Sequence, residues 1–436
     1  MFSYIKNYSF IGPGIFGSCL FLAGCMQEPT SVSENIVSSV SYAAVVGERG
    51  GQDMFGAYDV DAGWPKDIST LPEADGWTFG AGQSVFAESP ERIFYLQRGL
   101  LPKMDPPQAR LYPEVGPSLS FPATSVWRNA TRASLPAGGG TGSIAEDGVQ
   151  DWIERGGRIG VDALWKYCIL VFDREGNVTE SWTQWDAMMQ RPHFVAINPY
   201  DPEKHVWIID DHKHVIHKFT NDGETLVQSI GTYGEPGADE AHFNRPTFLA
   251  WFPDSSFVVA DGYNGTRVVK FDADGNYLTS WGEKGVPPNE TRPGYMNNVH
   301  GVAVDPETLR VFVNDRANRR IQVFDEGGEY LYEWSVGAQP ANIHMFIITA
   351  DRHLWAADRR SHKILKYDLE GNFLYSWGTY GEFPGGIAGV HGMSVDQEGN
   401  LYLAQVDNKG GVQKFIPRSG ANPDFLIGGP VYAAWD

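Results

Sequence analysis

The chain contains 436 residues, enough to bury a large hydrophobic core. It has 54 acidic and 34 basic residues and a formal net charge of −20, which argues against nucleic-acid binding and against electrostatic docking on anionic lipid. The 50 glycines, 27 prolines and 13% aromatic residues favour many short strands joined by tight turns. All-β folds often extend over such a length as one domain.

The first 25 residues carry an export pattern. One lysine precedes an apolar stretch that ends in the sequence LAGC at Cys25, and this stretch is too short and too interrupted for a membrane span. The segment resembles a bacterial lipoprotein signal. The resemblance implies that Cys25 receives a lipid, the only membrane contact, and that the protein is periplasmic or anchored in the outer membrane; an uncleaved anchor is the alternative. Residues 26–55 are expected to form a flexible tether.

The three cysteines leave no internal disulfide in the mature chain. The resemblance implies that Cys19 is removed with the signal and that Cys25 is lipidated, so Cys168 would remain alone. Because Cys168 lies in the apolar run WKYCILVF, we expect a small buried core residue rather than a nucleophile.

Residues 56–436 are organised by a repeat of an apolar strand, an Asp, a short turn, a strand ending in Lys-Phe, an Asp-x-x-Gly turn and a strand ending in Trp. Five copies begin with HVWIIDDHKHVIHKF, SFVVADGYNGTRVVKF, RVFVNDRANRRIQVF, HLWAADRRSHKILKY and NLYLAQVDNKGGVQKF. A sixth copy is split into RIFYLQRG at 92–99 and YCILVFDREGNVTESW at 167–182. An insertion at about 101–165 separates the two parts.

The residue that ends the second strand of each copy serves as its anchor. From the second anchor to the sixth, neighbouring anchors are 43–54 residues apart, a period typical of a β-propeller. We therefore predict an all-β, six-bladed β-propeller, with the segment GAYDVDA at 56–62 completing the last blade. The sequence DRANRRIQVF at 315–324 resembles the NHL repeat. The anchors are Gln97, Asp210, Asp261, Asp315, Asp358 and Gln405.

Histidines recur where the inner strand of a blade begins, about 14 residues before its anchor. His193, His300 and His391 belong to blades two, four and six, which alternate around the ring about 120° apart. Three converging imidazoles with a fourth position open are typical of a catalytic zinc site, although iron, cobalt or nickel are chemically possible. Three independent polar residues are the alternative. The full set at this position is Gln83, His193, Thr247, His300, His344 and His391.

Two further histidine groups are weaker candidates for metal ligands. His344 has the equivalent position in blade five, and we expect it to face the substrate or to support the ligands. His212, His214 and His217 straddle a turn and the following strand, where alternation points them differently. A solvated blade edge is their expected environment.

Arginines follow three of the anchors and would form a second ring at the same mouth of the channel. Arg98, Arg316 and Arg359 occupy this position, and Tyr263 lies two residues past its anchor in DGYNGTR. Guanidinium groups bind carboxylates through paired hydrogen bonds, and a tyrosine near a divalent cation can serve as a general base. These residues predict a carboxylate pocket beside the metal; solvated charges in polar turns are the alternative.

Together these residues resemble the peptidyl-α-hydroxyglycine α-amidating lyases, six-bladed propellers that cleave a hydroxyglycine-extended peptide to a peptide amide and glyoxylate. The resemblance covers roughly residues 75–415 and places the family's zinc ligands on the histidine triad. It also places the family's tyrosine motif on Tyr263 with Arg267, and its active-site arginines on Arg98 and Arg316. It implies a Zn²⁺-dependent C–N lyase with Tyr263 as the base, acting on a small molecule or peptide with a carboxylate. Arg267 would then contact the substrate, together with His344 and Arg359.

Two features depart from the family. Gly392 follows His391 where the family has an aspartate that helps to bind a structural calcium, so the resemblance does not carry calcium over to this chain. The insertion at about 101–165 is foreign to the family pattern. We expect it to lie over or beside the mouth and to reshape substrate choice.

Two other functions stay open at this point. A related metal-dependent propeller lyase or hydrolase would act on another small carboxylated substrate, because the periplasm has no obvious supply of hydroxylated peptidylglycine. A non-enzymatic NHL propeller would be a lipid-anchored binding module or scaffold, although a scaffold needs neither alternating histidines nor the Tyr263 motif. In each case we expect a monomer.

Overall fold

The computed structural model describes residues 53–104, 163–337, 341–407, 411–429 and 431, together with the backbone of four short strands between residues 110 and 151. In this part of the chain, six four-stranded antiparallel sheets form the blades of a β-propeller, as the repeat predicts. We call the end of the central channel where the inner strands begin the mouth.

The strands of each blade are given from the innermost outwards. Blade 1 contains Gly82–Ser89, Arg92–Gln97, Ile169–Phe172 and Val178–Ser181; blade 2 contains Pro192–Ile197, Val206–Asp210, Val215–Phe219 and Leu226–Ile230; blade 3 contains Pro246–Trp251, Phe257–Asp261, Arg267–Phe271 and Tyr277–Trp281. Blade 4 contains Val299–Val304, Val311–Asp315, Arg320–Phe324 and Tyr330–Ser335; blade 5 contains Ile343–Ile348, Leu354–Asp358, Lys363–Tyr367 and Phe373–Trp377; blade 6 contains Val390–Val395, Leu401–Gln405, Val412–Pro417 and Tyr58–Asp61.

The last blade closes the ring with a strand from the beginning of the propeller. Tyr58–Asp61 pairs antiparallel with Val412–Pro417, as we expected from the segment at 56–62. The described chain already contacts the propeller at Asp53, whose carbonyl accepts a hydrogen bond from Gly378 over 2.9 Å. Asp53, which the sequence assigns to the tether, thus contacts blade 5.

The split first blade also forms as predicted, because Arg92–Gln97 pairs with Ile169–Phe172 across the insertion. The location of most of the insertion relative to the mouth lies outside the described residues. The described strands of this region form one sheet of Trp77–Phe79, Leu100–Pro102, Ala163–Leu164, Val149–Asp151 and Ser143–Ile144, and a pair of Arg110–Leu111 with Ser120–Phe121.

The remaining elements are short. Glu283–Lys284 pairs in parallel with Tyr295–Met296. The four described 3₁₀ helices are Ile68–Thr70, Thr183–Met188, Arg316–Asn318 and Pro423–Phe425. None of the helices in the described part of the chain has the length and apolar character that a bilayer crossing requires.

The core lies between the blades rather than in a single layer. Every residue of the second strands Val206–Asp210 and Phe257–Asp261 is buried, because each blade packs both of its faces against its neighbours. Outer strands such as Leu226–Ile230 alternate between partly buried and exposed residues. Cys168 is buried in the core, as expected.

The anchors fix the loops that lead into the inner strands. Each anchor is the last residue of its blade's second strand, and its side-chain oxygen accepts a hydrogen bond from a backbone N–H of the preceding loop. Asn244 donates to Asp261 over 2.7 Å, and Gly80 donates to the amide oxygen of Gln97 over 2.8 Å. Either side chain can supply this acceptor, which explains why Gln replaces Asp. The same bond is made by Asp210, Asp315, Asp358 and Gln405.

Candidate active site

Three histidines from alternate blades meet at the mouth. His193, His300 and His391 are each the second residue of an inner strand, and all three are buried. Their ring centroids are 4.7–5.1 Å apart, and their ligand nitrogens all lie within 4.8 Å of one another. The repeat register therefore brings together residues that are up to 198 positions apart in the sequence.

The backbone of the neighbouring blade sets the orientation of each ring. Nδ1 of His193 lies 2.8 Å from the carbonyl oxygen of Thr247, and Nδ1 of His391 lies 2.8 Å from that of Gln83. His300 makes the same contact with the carbonyl of the adjacent blade. A carbonyl oxygen can only accept, so each Nδ1 carries the proton and each Nε2 keeps its lone pair. The three Nε2 atoms are therefore available as ligands.

The triad is neutral at neutral pH. Burial and then the neighbouring charges hold the pKa of His193 and of His300 well below the usual value, and burial with nearby arginines lowers the pKa of His391 to about 3. Metal ions bind the neutral imidazole, so these ligands lose no proton when they coordinate.

Tyr263 reaches the triad from the loop after the second strand of blade 3. Its hydroxyl lies 3.1 Å from Nε2 of His193 and 3.0 Å from Nε2 of His300. The single Tyr263 hydroxyl proton can be donated to only one of these two nitrogens at a time. The lone pair of the other Nε2 is then left without a donor from Tyr263. Gly262 allows this approach, because a Cβ at that position would lie 1.4 Å from the carbonyl oxygen of Val299.

The residues present fit a zinc ion. Ligand nitrogens about 2.0–2.1 Å from a tetrahedral zinc are separated by roughly 3.4 Å, a spacing that the triad reaches with small side-chain adjustments. Three neutral nitrogens with the protons on the opposite side of each ring are a donor set that suits a divalent metal such as zinc. Among the described residues, the triad is also the one converging group of histidine, cysteine and carboxylate ligands.

Calcium does not fit beneath the triad. A Cβ at Gly392 would lie 2.7 Å from the Cα of Ser84, so an aspartate has no room there. Phe248 instead packs against the triad, with its ring centroid 5.2–5.7 Å from each imidazole. Below it, a cavity of about 200 Å³ is lined mainly by apolar side chains such as Met345 and Met393. This lining lacks the oxygen cage that calcium requires.

Two of the predicted arginines lie beside the triad. Arg98 is 1% exposed, and its Nε donates to the carbonyl oxygen of Pro192 over 3.5 Å. Arg316 donates through Nε to Asn298 over 2.6 Å, and its guanidinium carbon lies 5.3 Å from the Tyr263 ring centroid. Burial lowers the pKa of both arginines, that of Arg98 to about 9. Burial therefore disfavours both cations, and a bound anion would offset this cost.

The NHL-like residues hold the turn that carries Arg316. Asn318 donates to both carboxylate oxygens of Asp315 over 2.9 Å, and Arg320 donates to the same carboxylate over 2.8 Å. Arg316 thus begins a fixed 3₁₀ turn, Arg316–Asn318.

The three residues predicted to contact substrate differ in position. His344 is next to the triad, with its ring centroid 5.1 Å from that of His391, but it is not part of the converging group. Arg359 forms a two-pronged ion pair with the buried Asp407. Arg267 donates to Asp261 and to three backbone carbonyls of the loop at 238–242, so its hydrogen bonds hold that loop.

Sequence reasoning missed Arg191 and Arg245 at the mouth. Their guanidinium carbons lie 5.6 and 4.5 Å from the Tyr263 ring centroid. Both also bind one carboxylate, that of Asp211, over 3.1 and 2.6 Å. A signal was present, because RPHFVAI and RPTFLAW place an Arg-Pro pair at the same repeat position of two adjacent blades.

The prediction of a solvated edge for DDHKHVIHK was wrong for His217, whereas His212 and His214 are partly exposed and, as expected, not part of the converging ligand group. Asp211 is fully buried, and His217 is 1% exposed with its Nδ1 2.8 Å from the hydroxyl of Ser229. His214 accepts a hydrogen bond from the backbone of Arg245 over 3.0 Å. The third strand of a blade is covered on both faces, so alternation there does not separate buried from exposed positions.

Comparisons with known proteins find relatives that match parts of the chain. No protein-family model matches the chain. The chain is 31% identical over 159 residues to a probable peptidyl-α-hydroxyglycine α-amidating lyase of Caenorhabditis elegans, covering 36% of this chain and 43% of the relative. It is 34% identical over 137 residues to the peptidylglycine α-amidating monooxygenase of Rattus norvegicus, covering 30% and 13%.

A further relative does not carry a lyase name. NHL repeat-containing protein 3 of Mus musculus is 34% identical over 177 residues, covering 38% of this chain and 48% of the relative. Among solved structures, the virginiamycin B lyase from Staphylococcus aureus is 12% identical and covers 77% of this chain and 95% of that chain, with a TM-score of 0.43. The chain thus matches less than half the length of these curated relatives. Its homologues are amidating lyases and NHL-repeat proteins.

Proposed function

We propose that this chain is a metal-dependent C–N lyase that cleaves an α-hydroxyglycine derivative into an amide and glyoxylate. One observation carries the proposal. The Tyr263 hydroxyl lies between Nε2 of His193 and Nε2 of His300, so a group that can carry a proton adjoins a three-nitrogen metal site. Homologues that are named amidating lyases support the same reaction class.

His193, His300 and His391 would hold the metal through Nε2. A zinc ion bound there supplies Lewis-acid polarisation of the substrate's α-hydroxyl group. The carbonyls that accept from the Nδ1 atoms keep the rings in place. Phe248 packs against the triad on the channel side.

Arg98 and Arg316 orient the substrate. The Arg98 side chain is buried and that of Arg316 is partly buried near Tyr263, and a carboxylate is the partner that planar guanidinium donors bind best. Binding the glycine carboxylate there directs the adjacent α-carbon, with its hydroxyl and its nitrogen, towards Tyr263 and the triad.

Tyr263 moves the proton that the reaction requires. Its oxygen accepts the proton of the α-hydroxyl group while its own hydroxyl proton passes to the leaving nitrogen, so Tyr263 ends as a neutral phenol. The C–O bond becomes the carbonyl of glyoxylate, the C–N bond breaks and the nitrogen leaves as the amide, so no external nucleophile or net proton is consumed. The Arg316 guanidinium, whose carbon lies 5.3 Å from the Tyr263 ring centroid, stabilises the negative charge that develops during the transfer.

A binding module is the second candidate, because NHL repeat-containing protein 3 is as similar to this chain as the amidating enzymes are. The lyase requires the histidine triad, whereas the binding module does not. A scaffold would keep its binding after His300→Ala, whereas a lyase would lose both its metal and its activity.

The test uses N-benzoyl-α-hydroxyglycine as the substrate and zinc-loaded full-length protein. We expect equimolar benzamide and glyoxylate, measured by mass spectrometry, and loss of both products after chelation or in His300→Ala. The matched control is His353→Ala, since His353 is partly exposed and pairs with Asp351 in a turn at the end of the channel opposite the mouth. Absence of glyoxylate with zinc at full occupancy would refute the proposal.

We also propose that the chain is an exported lipoprotein. Mass spectrometry of the protein isolated from membranes would detect a diacylglyceryl group on Cys25. An unmodified Cys25 in protein that still carries residues 1–24 would overturn this part of the proposal.

A further inference from the structure

The turn after the second strand of blade 2 builds a group that the proposed reaction does not use. Asp211 is fully buried and accepts from Arg191 over 3.1 Å and from Arg245 over 2.6 Å, so one carboxylate joins the loops of blades 2 and 3. His212 lies 3.3 Å from Arg191. The pKa of His212 is about 3, lowered first by burial, so this imidazole adds no charge.

The backbone holds this group against Tyr263. The N–H of Arg245 donates to Nδ1 of His214 over 3.0 Å, and the carbonyl of Arg245 accepts from the N–H of Tyr263 over 3.1 Å. Arg245 has φ 68°, a left-handed conformation that non-glycine residues adopt at some cost in energy. These bonds hold the main chain of Arg245, and the ion pair with Asp211 holds its guanidinium over the Tyr263 ring.

The mouth has more positive charge than one carboxylate can balance. Arg191, Arg245 and Arg316 lie within 5.6 Å of the Tyr263 ring centroid, and Arg98 interacts electrostatically with Arg191 and Tyr263. The Asp211 carboxylate pairs with the guanidiniums of Arg191 and Arg245. Arg359, at the same mouth, is already balanced by Asp407. Three guanidiniums, those of Arg191, Arg245 and Arg316, against the one Asp211 carboxylate leave a formal excess of two positive charges, in a protein whose net charge is −20.

Donors remain for a second anion. The side chains of Arg191 and Arg245 are 18% and 21% exposed, so the mouth admits a ligand to both. Nε of Arg245 is buried and has no hydrogen-bond partner among the described residues. Burying a charged donor without an acceptor destabilises the protein. A carboxylate that accepts a hydrogen bond from this donor would remove that cost.

We propose that Arg191 and Arg245 form a second anion subsite, and that the substrate carries an acidic group on its acyl side in addition to the hydroxyglycine carboxylate. This inference rests on the proposed function, because that function assigns the first carboxylate to Arg98 and Arg316. The substrate class is thus a dianionic N-acyl-α-hydroxyglycine rather than a neutral peptide extended by hydroxyglycine.

The test compares two substrates of the same shape, N-benzoyl-α-hydroxyglycine and N-(4-carboxybenzoyl)-α-hydroxyglycine. With zinc-loaded wild-type protein, we expect kcat/KM to be about tenfold to a hundredfold higher for the second substrate, with most of the difference in KM. Arg245→Gln should reduce this ratio to within about threefold of one, and Arg245→Lys should retain part of it. Arg352→Gln, an arginine paired with Asp305 away from the mouth, should leave the ratio unchanged.

The ratio separates a subsite from a residue that only positions Tyr263. A purely positioning role would lower kcat for both substrates in the same proportion, and the ratio would survive Arg245→Gln. Equal kcat/KM values for the two substrates in wild-type protein would also overturn the inference.

Product binding tests the subsite without catalysis. Calorimetric titration should show 4-carboxybenzamide binding at least tenfold more tightly than benzamide, and Arg245→Gln should abolish the difference. If neither substrate is cleaved but the carboxylated amide still binds preferentially, the proposed reaction fails and the anion subsite stands. Equal binding of the two amides overturns the subsite.

Discussion

Replacing Tyr263 by phenylalanine removes one oxygen from the centre of the site. The ring keeps its contacts, since its centroid lies 5.2 and 5.1 Å from those of His193 and His300 and is covered by the Arg245 guanidinium. The lost hydroxyl makes one hydrogen bond at a time to a neutral imidazole, so the free energy of unfolding should change by only about 1 kcal/mol. The metal ligands are untouched, and zinc affinity should stay within about threefold.

Catalysis should change far more than stability in Tyr263→Phe. Removing a general base costs about 10²–10⁴ in rate, which corresponds to roughly 3–5 kcal/mol in activation free energy. We expect this loss in kcat with little change in KM, because Arg98 and Arg316 still hold the carboxylate. Glyoxylate release is measured alongside zinc binding, with Tyr233→Phe as the control, since Tyr233 is exposed and donates to Met188. A kcat within threefold of wild type, with zinc bound, would refute the role assigned to Tyr263.

Three further predictions concern the supports of the site. Gly262→Ala places a methyl group 1.4 Å from the Val299 carbonyl oxygen, so urea unfolding should show a loss of about 3 kcal/mol or more, and an unchanged midpoint would contradict the close approach. Phe248→Ala should lower the free energy of unfolding by about 3–5 kcal/mol and weaken zinc binding by roughly tenfold. A calcium chelator should leave the melting temperature of the wild-type protein unchanged. Burial lowers the pKa of His217 to about 4, so the unfolded chain binds more protons below pH 6.5 and stability falls with pH down to about 4. Between pH 7 and pH 5 this contributes roughly 2 kcal/mol, and His217→Leu should show a pH dependence that is smaller by that amount.

The arrangement of the triad could be predicted because residues at the same position of the repeat occupy equivalent places in successive blades of a propeller. The anchors fix where each inner strand begins, so His193, His300 and His391 fall at equivalent places on alternate blades. Their convergence follows from the ring, and no side-chain detail is needed. Thr247 and Gln83 at the same register show that the fold does not require histidine there.

The arginine cluster could not be predicted in the same way. Arg191 and Arg245 precede the inner strands in ordinary Arg-Pro loops, and their direction depends on Asp211, which lies in a turn of one blade and binds both loops. Aligning the repeats shows which blade a residue belongs to and how far along the channel axis it lies. It does not show in which direction a long side chain points. The burial of His217 was missed for a related reason, because both faces of its strand are covered.

The most direct test of the proposed reaction is the rate of glyoxylate release as a function of zinc occupancy. Metal-free protein is titrated with zinc from zero to one equivalent, and bound zinc is determined by elemental analysis. We predict a rate that rises in proportion to bound zinc, reaches its maximum at one equivalent, and is lost together with zinc binding in His300→Ala. Protein that holds one equivalent of zinc and releases no glyoxylate, or metal-free protein that releases it at the full rate, would contradict the proposed chemistry.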